Sequence, residues 1–297
     1  MTHQPGLDPE ASKFKALVDE IAAGVVAENA AAVDAEARFP RANIEALREV
    51  GLLGLVSAVE VGGHGQGLRA AAAVVERLAQ ECASTAMITM MHYCGTMVVE
   101  AHGNEQLRRE IAAGRCLTTL AFSESGSRSH FWAPVSTATA NGGKVTLDAK
   151  KQLITSAGEC DGYVWSSRPT AGDGASTIWW VPSDAAGLSI PARYEGLGLR
   201  GNGSAPIHAD GVVIPEDNRL GADGAGFDVM MGNVLPPFCL MGQAVSCGIM
   251  EGAIARTVGH VTGSKYDYSG DAIASFPQVR AKVATMRTKA DMCRAFL

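Results

Sequence analysis

Aromatic and charged residues are both scarce in this chain of 297 residues. Phe, Trp and Tyr together make up 6% of it, and charged residues make up 19%, against 47% hydrophobic residues. The net charge of −6 comes without a basic cluster, which argues against nucleic acid or an acidic membrane surface as a partner. The composition predicts a globular protein whose large core is rich in alanine.

Cysteine pairs at metal-binding or redox spacing are missing. The seven cysteines are scattered without a CxxC arrangement, so we expect buried free thiols rather than a zinc or thioredoxin-type site. The seven histidines do not fall at metal-ligand spacing either, and no metal is expected. We find no signal-peptide-like N-terminus and no uncharged apolar run of the roughly 18 residues that a membrane helix needs. The expectation is a cytoplasmic protein with no membrane partner.

Several catalytic motifs are also missing. The chain has no GxSxG, HExxH or Walker A sequence, so hydrolase, zinc-peptidase and NTPase functions lack support. The run Gly196–Gly201 matches GxGxxG, but strand-like sequence follows it where a dinucleotide-binding fold requires a helix. The run Gly62–Gly67 does precede a helix, and we predict a plain turn there in preference to a phosphate cradle.

Hydrophobic periodicity divides the chain into three blocks. Apolar residues recur at helical spacing in the first block and again from about Phe227, and short β-branched segments lie between them. We predict an α+β fold: an N-terminal α-helical domain at 1–117, a middle antiparallel β-barrel or sandwich domain at 118–226, and the start of a C-terminal helical bundle at 227–297. The predicted strands are Thr118–Phe122, Val135–Ala140, Lys144–Ala149, Gly162–Ser167, Ser176–Pro182, Leu188–Pro191 and Ile207–Ile214.

Three local features carry further expectations. Asn141-Gly142 between two predicted strands indicates a hairpin. His92 lies among methionines in a predicted helix, where a hydrogen-bonded structural histidine is expected rather than a ligand. The last predicted helix, Phe276–Leu297, reaches the end of the sequence without a stop signal or a second helix to cover its apolar face. We therefore expect that the C-terminal bundle is truncated here or is completed by another chain.

Six groups of local motifs, in order over nearly two hundred residues, resemble the acyl-CoA dehydrogenase family. They are Phe39-Pro40 through Gly51–Leu55, Val61–Gly63 and Gly67-Leu68; Leu120–Ser129; Lys151–Gly158; Trp180–Pro182 with Gly187-Leu188; Leu197–Gly201; and Val213–Asn218 with Gly224–Phe227.

The resemblance implies a function in lipid metabolism. It implies FAD held between the β block and the C-terminal bundle, within a homo-oligomer that is a dimer or tetramer. It also implies α,β-dehydrogenation of an acyl-CoA or a related substrate, with hydride transfer to flavin N5. An electron-transfer flavoprotein or another acceptor would then take the electrons.

The resemblance also assigns residues to the flavin. Phe122 and Ser123 match the family's Val-Thr pair, which contacts the pyrimidine ring through backbone amides and a hydroxyl. Leu153, Ile154 and Thr155 match the Trp-Ile-Thr triplet that lies against the ring. Thr155 is the best match, because its hydroxyl would donate toward N5 or O4, where charge builds during reduction.

Two further assignments follow from the same resemblance. Ser129 matches a serine that contacts the pantetheine or pyrophosphate region, and so counts as both cofactor-binding and substrate-binding. Gln278 matches a glutamine that contacts the FAD of a neighbouring subunit. The alternative for the assigned Ser and Thr residues is that each hydroxyl satisfies local turn amides.

The sequence departs from the family at the substrate side of the site. Ser125 and Arg128 replace a proline and a small residue in the turn, and Leu153 replaces the tryptophan against the flavin. The carboxylate that removes the α-proton lies in some branches where Asn233–Phe238 stands here, and this run holds no acid. We therefore expect the base beyond Leu297. The alternatives are a same-fold monooxygenase that uses reduced flavin and oxygen, and a degenerate non-catalytic family member.

Overall fold

The structure is a computed structural model, and it describes residues 6–128 and 130–297. Its N-terminal block is helical, as the periodicity predicts. A π-helical turn at Ala22–Val26 joins the first two helices, because Gly24 departs from helical geometry there. The helices are α1 (Pro9–Ile21), α2 (Ala27–Ala35), α3 (Arg41–Glu49), α4 (Leu68–Glu81), α5 (Ala83–His102) and α6 (Glu105–Ala112).

Backbone amides of the glycine-rich turn Gly62–Gly67, before α4, donate hydrogen bonds to the preceding residues. The amide of Gly63 donates to Ala58 O at 3.0 Å, and the amide of Gly65 donates to Ser57 O at 2.7 Å. Because these donors already have backbone acceptors, they do not point at a ligand in the manner of a phosphate cradle. The predicted plain turn is confirmed.

The middle block is a pair of sheets. One has the strand order β1-β4-β5, and the other has the order β2-β3-β7-β6. A two-residue loop, Gly142-Gly143, joins β2 to β3, and the predicted hairpin is confirmed. The strands are β1 (Thr118–Ala121), β2 (Thr137–Asn141), β3 (Lys144–Ile154), β4 (Gly162–Ser167), β5 (Thr177–Pro182), β6 (Leu188–Ser189) and β7 (Ala205–Pro215).

One strand pairing departs from the antiparallel prediction. β1 pairs with β4 in parallel, from Thr118 opposite Gly162 to Ala121 opposite Trp165. A parallel pair needs a long crossover. Here the crossover is the β2–β3 hairpin, which belongs to the other sheet. The remaining pairings of the described strands are antiparallel, as predicted.

Helices return after the sheets as α7 (Gly226–Val229), α8 (Leu235–Gly263) and α9 (Pro277–Phe296), with a π-helical turn at Met230–Val234. A proline pair predicts a break in a helix. Pro236-Pro237 instead lie in the first turn of α8, directly after the π-helical turn, where proline is tolerated. α8 lies close against α4. An added Cβ at Gly248 would lie 2.2 Å from Glu76 O, so only glycine permits this approach.

The helices on either side of the β block share one core. α4 and α5 both pack against α8. The helical elements end at Ala112, the strands begin at Thr118, and helices resume at Gly226. The division into three domains at 117/118 and 226/227 stays a prediction, because this shared core joins the first and third blocks.

One helix has the length and composition of a membrane span, although the search for an uncharged apolar run predicts none. The helical run Gly226–Gly263 spans 38 residues and is apolar enough to cross a membrane. A single such helix is weak evidence, since the core helix of a globular protein passes the same test. Here 39% of the most apolar stretch is buried inside the structure. The absence of a membrane partner stays a prediction.

The expectation of buried thiols holds for most cysteines. Cys239 on α8 is exposed and Cys293 on α9 is half-buried, because these helices present one side to solvent in this chain. Burial raises the pKa of the Cys94 thiol well above its usual range. The buried free thiols are Cys82, Cys94, Cys116, Cys160 and Cys247.

His92 ties the helical block to the first strand. Its Nε2 lies 2.9 Å from Leu53 O, and its Nδ1 accepts the amide of Thr118 at 3.1 Å. The ring is fully buried, and burial lowers its pKa to about 4. The neutral tautomer with the proton on Nε2 satisfies both contacts. The expected structural role for His92 is confirmed.

His92 makes stability depend on pH in mildly acid solution. Its folded pKa of about 4 lies below the ordinary 6.5, so between these values the unfolded chain takes up a proton that the folded chain refuses. Stability is full above pH 6.5 and falls by up to about 3 kcal/mol as pH drops toward 4. Urea unfolding followed by circular dichroism at pH 7, 6 and 5 should show this loss.

Two variants isolate the effect. His92→Gln should be less stable at pH 7 but should lose much less on going from pH 6.5 to 5. His260→Gln, which changes an exposed histidine on α8, should keep the wild-type pH dependence. An unchanged pH dependence in His92→Gln would contradict the assignment of the proton uptake to His92.

Candidate functional site

Two segments that lie far apart in the sequence meet at one end of the β block. The first is the turn Ser123–Ser125, which follows β1. The second is the end of β3. The amide of Ser125 donates to Lys150 O at 3.0 Å, and the amide of Gln152 donates to Ser123 O at 2.9 Å. These two bonds place Phe122 and Ser123 beside the stretch Leu153–Thr155, and the assignment of these residues to a cofactor stays a prediction.

A buried ion pair lies between those two hydrogen bonds. Glu124 and Lys151 face each other across an isolated antiparallel bridge, and both side chains are completely buried. Burial lowers the pKa of Lys151 to about 8, against the attraction of Glu124. Burial acts to raise the pKa of Glu124, but the charge of Lys151 and the hydrogen bonds from Lys151 and Ser136 together outweigh burial and leave that pKa below its usual value. Both groups therefore carry charge at neutral pH.

The ion pair also contacts two other segments. Glu124 Oε2 accepts the amides of Val135 and Ser136 at 2.6 and 2.9 Å. Lys151 Nζ donates to Ser166 O at 2.7 Å and to Ser166 Oγ at 3.0 Å. The pair thus connects the turn, the approach to β2, β3 and β4.

The hydroxyls of Ser123 and Thr155 are free of protein partners among the described residues. Ser123 is exposed, whereas Thr155 is buried, with 5% of its surface accessible to solvent. The alternative role, in which each hydroxyl satisfies a local turn amide, therefore finds no support within this part of the chain. Both hydroxyls remain available to a ligand.

Phe122 and Ile154 bury their side chains. They are 5% and 2% exposed, in the hydrophobic core. Residues placed in this way can offer a ligand only their backbone groups. Their predicted role as cofactor contacts is therefore limited to main-chain hydrogen bonding.

Leu153 stands out between these buried neighbours. Its side chain is 61% exposed, and its φ of 55° is in the left-handed region that a branched residue rarely adopts. Non-glycine residues in this region cluster at functional sites, where the surrounding contacts hold them. The strained backbone turns an apolar side chain outward, two residues before Thr155.

The remaining predicted residues lie elsewhere. Ser129 falls outside the described residues. Gln278 is exposed in the first turn of α9, which packs on α8. Ser125 and Arg128 are exposed in the turn, and Arg128 has a φ of 48°. The assignments of Ser129 and Gln278 therefore stay predictions.

The sequence-based prediction missed the ion pair, although a signal for it exists. Along β3 the inward positions alternate as Val145, Leu147, Ala149 and Lys151. A lysine in the inward phase of a strand requires a buried partner. The glutamate in the preceding turn was the candidate for that partner.

The candidate site does not coincide with the large cleft in this structure. A cleft of about 1060 Å³ opens beyond the end of β3, and Phe39, Gly158, Arg193 and Tyr194 are among its lining residues. Ser123, Leu153 and Thr155 do not line it. In the described residues there is also no group of three or more His, Cys, Asp or Glu side chains placed to hold a metal ion.

Two regions of the chain match models of known protein families. Residues 8–116 match the acyl-CoA dehydrogenase N-terminal domain, and residues 119–212 match the middle domain. The chain belongs to the acyl-CoA dehydrogenase family. The two matched domains cover the helical block up to β1 and most of the β block, and the resemblance stated above is confirmed.

Individual relatives agree with this assignment. A probable acyl-CoA dehydrogenase of Mycobacterium leprae (strain TN) is 28% identical over 294 residues, covering 97% of this chain and 75% of that protein. The cyclohex-1-ene-1-carbonyl-CoA dehydrogenase of Syntrophus aciditrophicus (strain SB) is 26% identical over 297 residues, covering 97% of this chain and 70% of that protein.

A solved structure has the same fold. Butyryl-CoA dehydrogenase from Megasphaera elsdenii matches with a TM-score of 0.89 at 20% identity, covering 99% of this chain and 79% of that one. An identity this low supports the fold and carries no assignment of substrate. The predicted α+β fold class is confirmed.

Leu153 and Ile154 should differ sharply in their contribution to folding. Leu153→Ala should change the free energy of unfolding by no more than about 0.5 kcal/mol, because its side chain is exposed. Ile154→Ala should cost about 2–4 kcal/mol, because it leaves a cavity in the core. Urea unfolding of both variants measures the difference. A loss of more than about 2 kcal/mol in Leu153→Ala would show that this side chain serves the fold instead.

Proposed function

We propose that this protein is an FAD-dependent oxidoreductase that carries out α,β-dehydrogenation of an acyl thioester. Family membership supports the reaction class. One observation supports the location of the cofactor: the two hydroxyls without protein partners, those of Ser123 and Thr155, lie on hydrogen-bonded neighbouring segments beside the exposed Leu153. Hydroxyl donors beside an apolar wall suit a flavin, which has polar pyrimidine atoms and a flat apolar ring.

The residues present fit FAD in kind. Thr155 would donate its hydroxyl to the pyrimidine edge of the ring, and Ser123 would donate a second hydrogen bond. Phe122 and Ile154 would contribute backbone groups, and Leu153 would cover one face and exclude water from it. When bound, FAD supplies the acceptor for the hydride that leaves the β-carbon. Hydrogen bonds at that edge stabilise the negative charge that develops there.

The α-proton of the substrate must go to a base. The run Asn233–Phe238 at the start of α8 contains no acid. We propose that the base is a carboxylate outside this run. Ser129 would contact the pantetheine or pyrophosphate region, and Gln278 would reach the FAD of a neighbouring subunit in a dimer or tetramer.

The remaining parts of the proposal concern partners and setting. The substrate would be an acyl-CoA or a related small molecule, and an electron-transfer flavoprotein or another acceptor would reoxidise the flavin. The protein would act in lipid metabolism in the cytoplasm.

A second candidate is a monooxygenase of the same fold that uses reduced flavin and oxygen. The observation that favours it is the lack of an acid in Asn233–Phe238, because that chemistry requires no base for an α-proton. A degenerate member that binds an acyl chain or a protein partner without flavin is the third possibility.

The first test is the reaction itself. The purified protein should bind oxidised FAD, and a matching acyl-CoA should bleach the flavin absorbance near 450 nm without oxygen. Bleaching that needs no oxygen would exclude the monooxygenase. Binding of reduced flavin only, followed by oxygen consumption, would establish the monooxygenase instead. Binding of neither flavin form would overturn the proposal in favour of a non-catalytic protein.

The second test addresses Thr155. Thr155→Val keeps the shape of the side chain and removes the hydroxyl, so FAD affinity should fall by about 5–10-fold, the equivalent of one hydrogen bond. Thr139→Val, at an exposed position of β2, should leave affinity unchanged. Quenching of flavin fluorescence measures both dissociation constants. Equal affinities for Thr155→Val and the wild-type protein would remove Thr155 from the site.

A further inference from the structure

The buried ion pair uses all of its hydrogen-bonding capacity. The three protons of the Lys151 ammonium point to Glu124 Oε1, Ser166 O and Ser166 Oγ. The carboxylate of Glu124 also accepts the Val135 and Ser136 amides, and its Oε1 accepts the Ser136 hydroxyl at 2.5 Å. A buried polar network in which every member is satisfied is rigid, since any displacement leaves a buried group unpaired.

The network fixes the two ligand-facing segments relative to each other. Ser123 immediately precedes Glu124, and Thr155 follows Lys151 by four residues. Backbone hydrogen bonds on either side of the pair also align the turn with β3. They run from Ser125 N to Lys150 O and from Gln152 N to Ser123 O. A slip of the turn along β3 would carry Glu124 away from Lys151 and leave two buried charges unpaired, which is strongly unfavourable.

Stability alone is a poor explanation for an ion pair at this position. Removing two charges from water is costly, and apolar side chains of similar volume in the same place are often as stabilising or more so. The neighbouring inward positions of β3, including Leu147 and Ala149, are already apolar. The lysine ammonium also lies 4.9 Å from the centre of the apolar Trp165 ring.

We propose that Glu124 and Lys151 are positioning residues, which hold the Ser123 and Thr155 hydroxyls at the spacing that the flavin ring requires. Neither side chain touches the ligand. They act through the backbone of the turn and of β3. This inference rests on the proposed function, because it takes the flavin as the ligand.

The decisive variant is Glu124→Gln combined with Lys151→Met. It removes both charges, keeps both shapes, and leaves no buried charge unpaired. Each single variant does leave one, so Glu124→Gln and Lys151→Met alone should both unfold at lower temperature than the wild-type protein. The double variant should recover most of that thermal stability, within a few degrees. A role confined to folding therefore predicts that FAD affinity recovers with stability.

The positioning role predicts the opposite outcome in the double variant. FAD affinity, from flavin fluorescence quenching, should remain at least 10-fold weaker than in the wild-type protein. Amide hydrogen exchange without ligand should be at least 10-fold faster at Ser125 and Gln152, the two residues whose amides align the turn with β3. Exchange at Thr139, which lies opposite Thr146 at a hydrogen-bonded position of the β2–β3 hairpin, serves as the control and should not change.

Two results would overturn the inference. The first is a double variant that binds FAD as tightly as the wild-type protein. The second is unchanged exchange at Ser125 and Gln152, which would show that the alignment does not depend on the charges. If the wild-type protein binds no FAD, the proposed function fails separately, and exchange alone then decides whether the pair aligns the turn.

Discussion

The ion pair between Glu124 and Lys151 is the contact on which the geometry of the candidate site depends. It lies where the turn after β1 crosses β3, and its hydrogen bonds reach the approach to β2 and the strand β4. The two sheets of the β block have no strand in common. A fully satisfied network of charges between them fixes a single alignment, whereas apolar contact alone tolerates small shifts.

A second buried polar contact relates the β block to the helices. The imidazole of His92, on α5, accepts the first amide of β1 and lies against Leu53 O in the turn that follows α3. β1 leads directly to Phe122 and the turn. The contact between α5 and β1 therefore fixes where the candidate site lies relative to the helices. The helices are themselves held together by the close approach of α8 to α4 at Gly248.

Much of the fold could be predicted because it depends on local patterns. Hydrophobic periodicity, the glycine turn before α4 and the Asn141-Gly142 hairpin each act within a few residues. The parallel pairing of β1 with β4 could not be predicted in this way, because it depends on a crossover through another sheet. The helix at Pro236-Pro237 could not be predicted either, since a proline pair is also compatible with a break in the helix. Only the structure shows that α8 begins at Leu235, which puts the two prolines in its first turn.

The sequence by itself determined the family, the fold class and the residue types of the candidate site, since motif order and side-chain chemistry are properties of the chain. Only the tertiary structure decided what each residue offers a ligand. It buries Phe122 and Ile154, turns Leu153 outward, and leaves the hydroxyls of Ser123 and Thr155 unpaired among the described residues. It also brings Glu124 to Lys151, because burial and pairing arise between segments that lie far apart in the sequence.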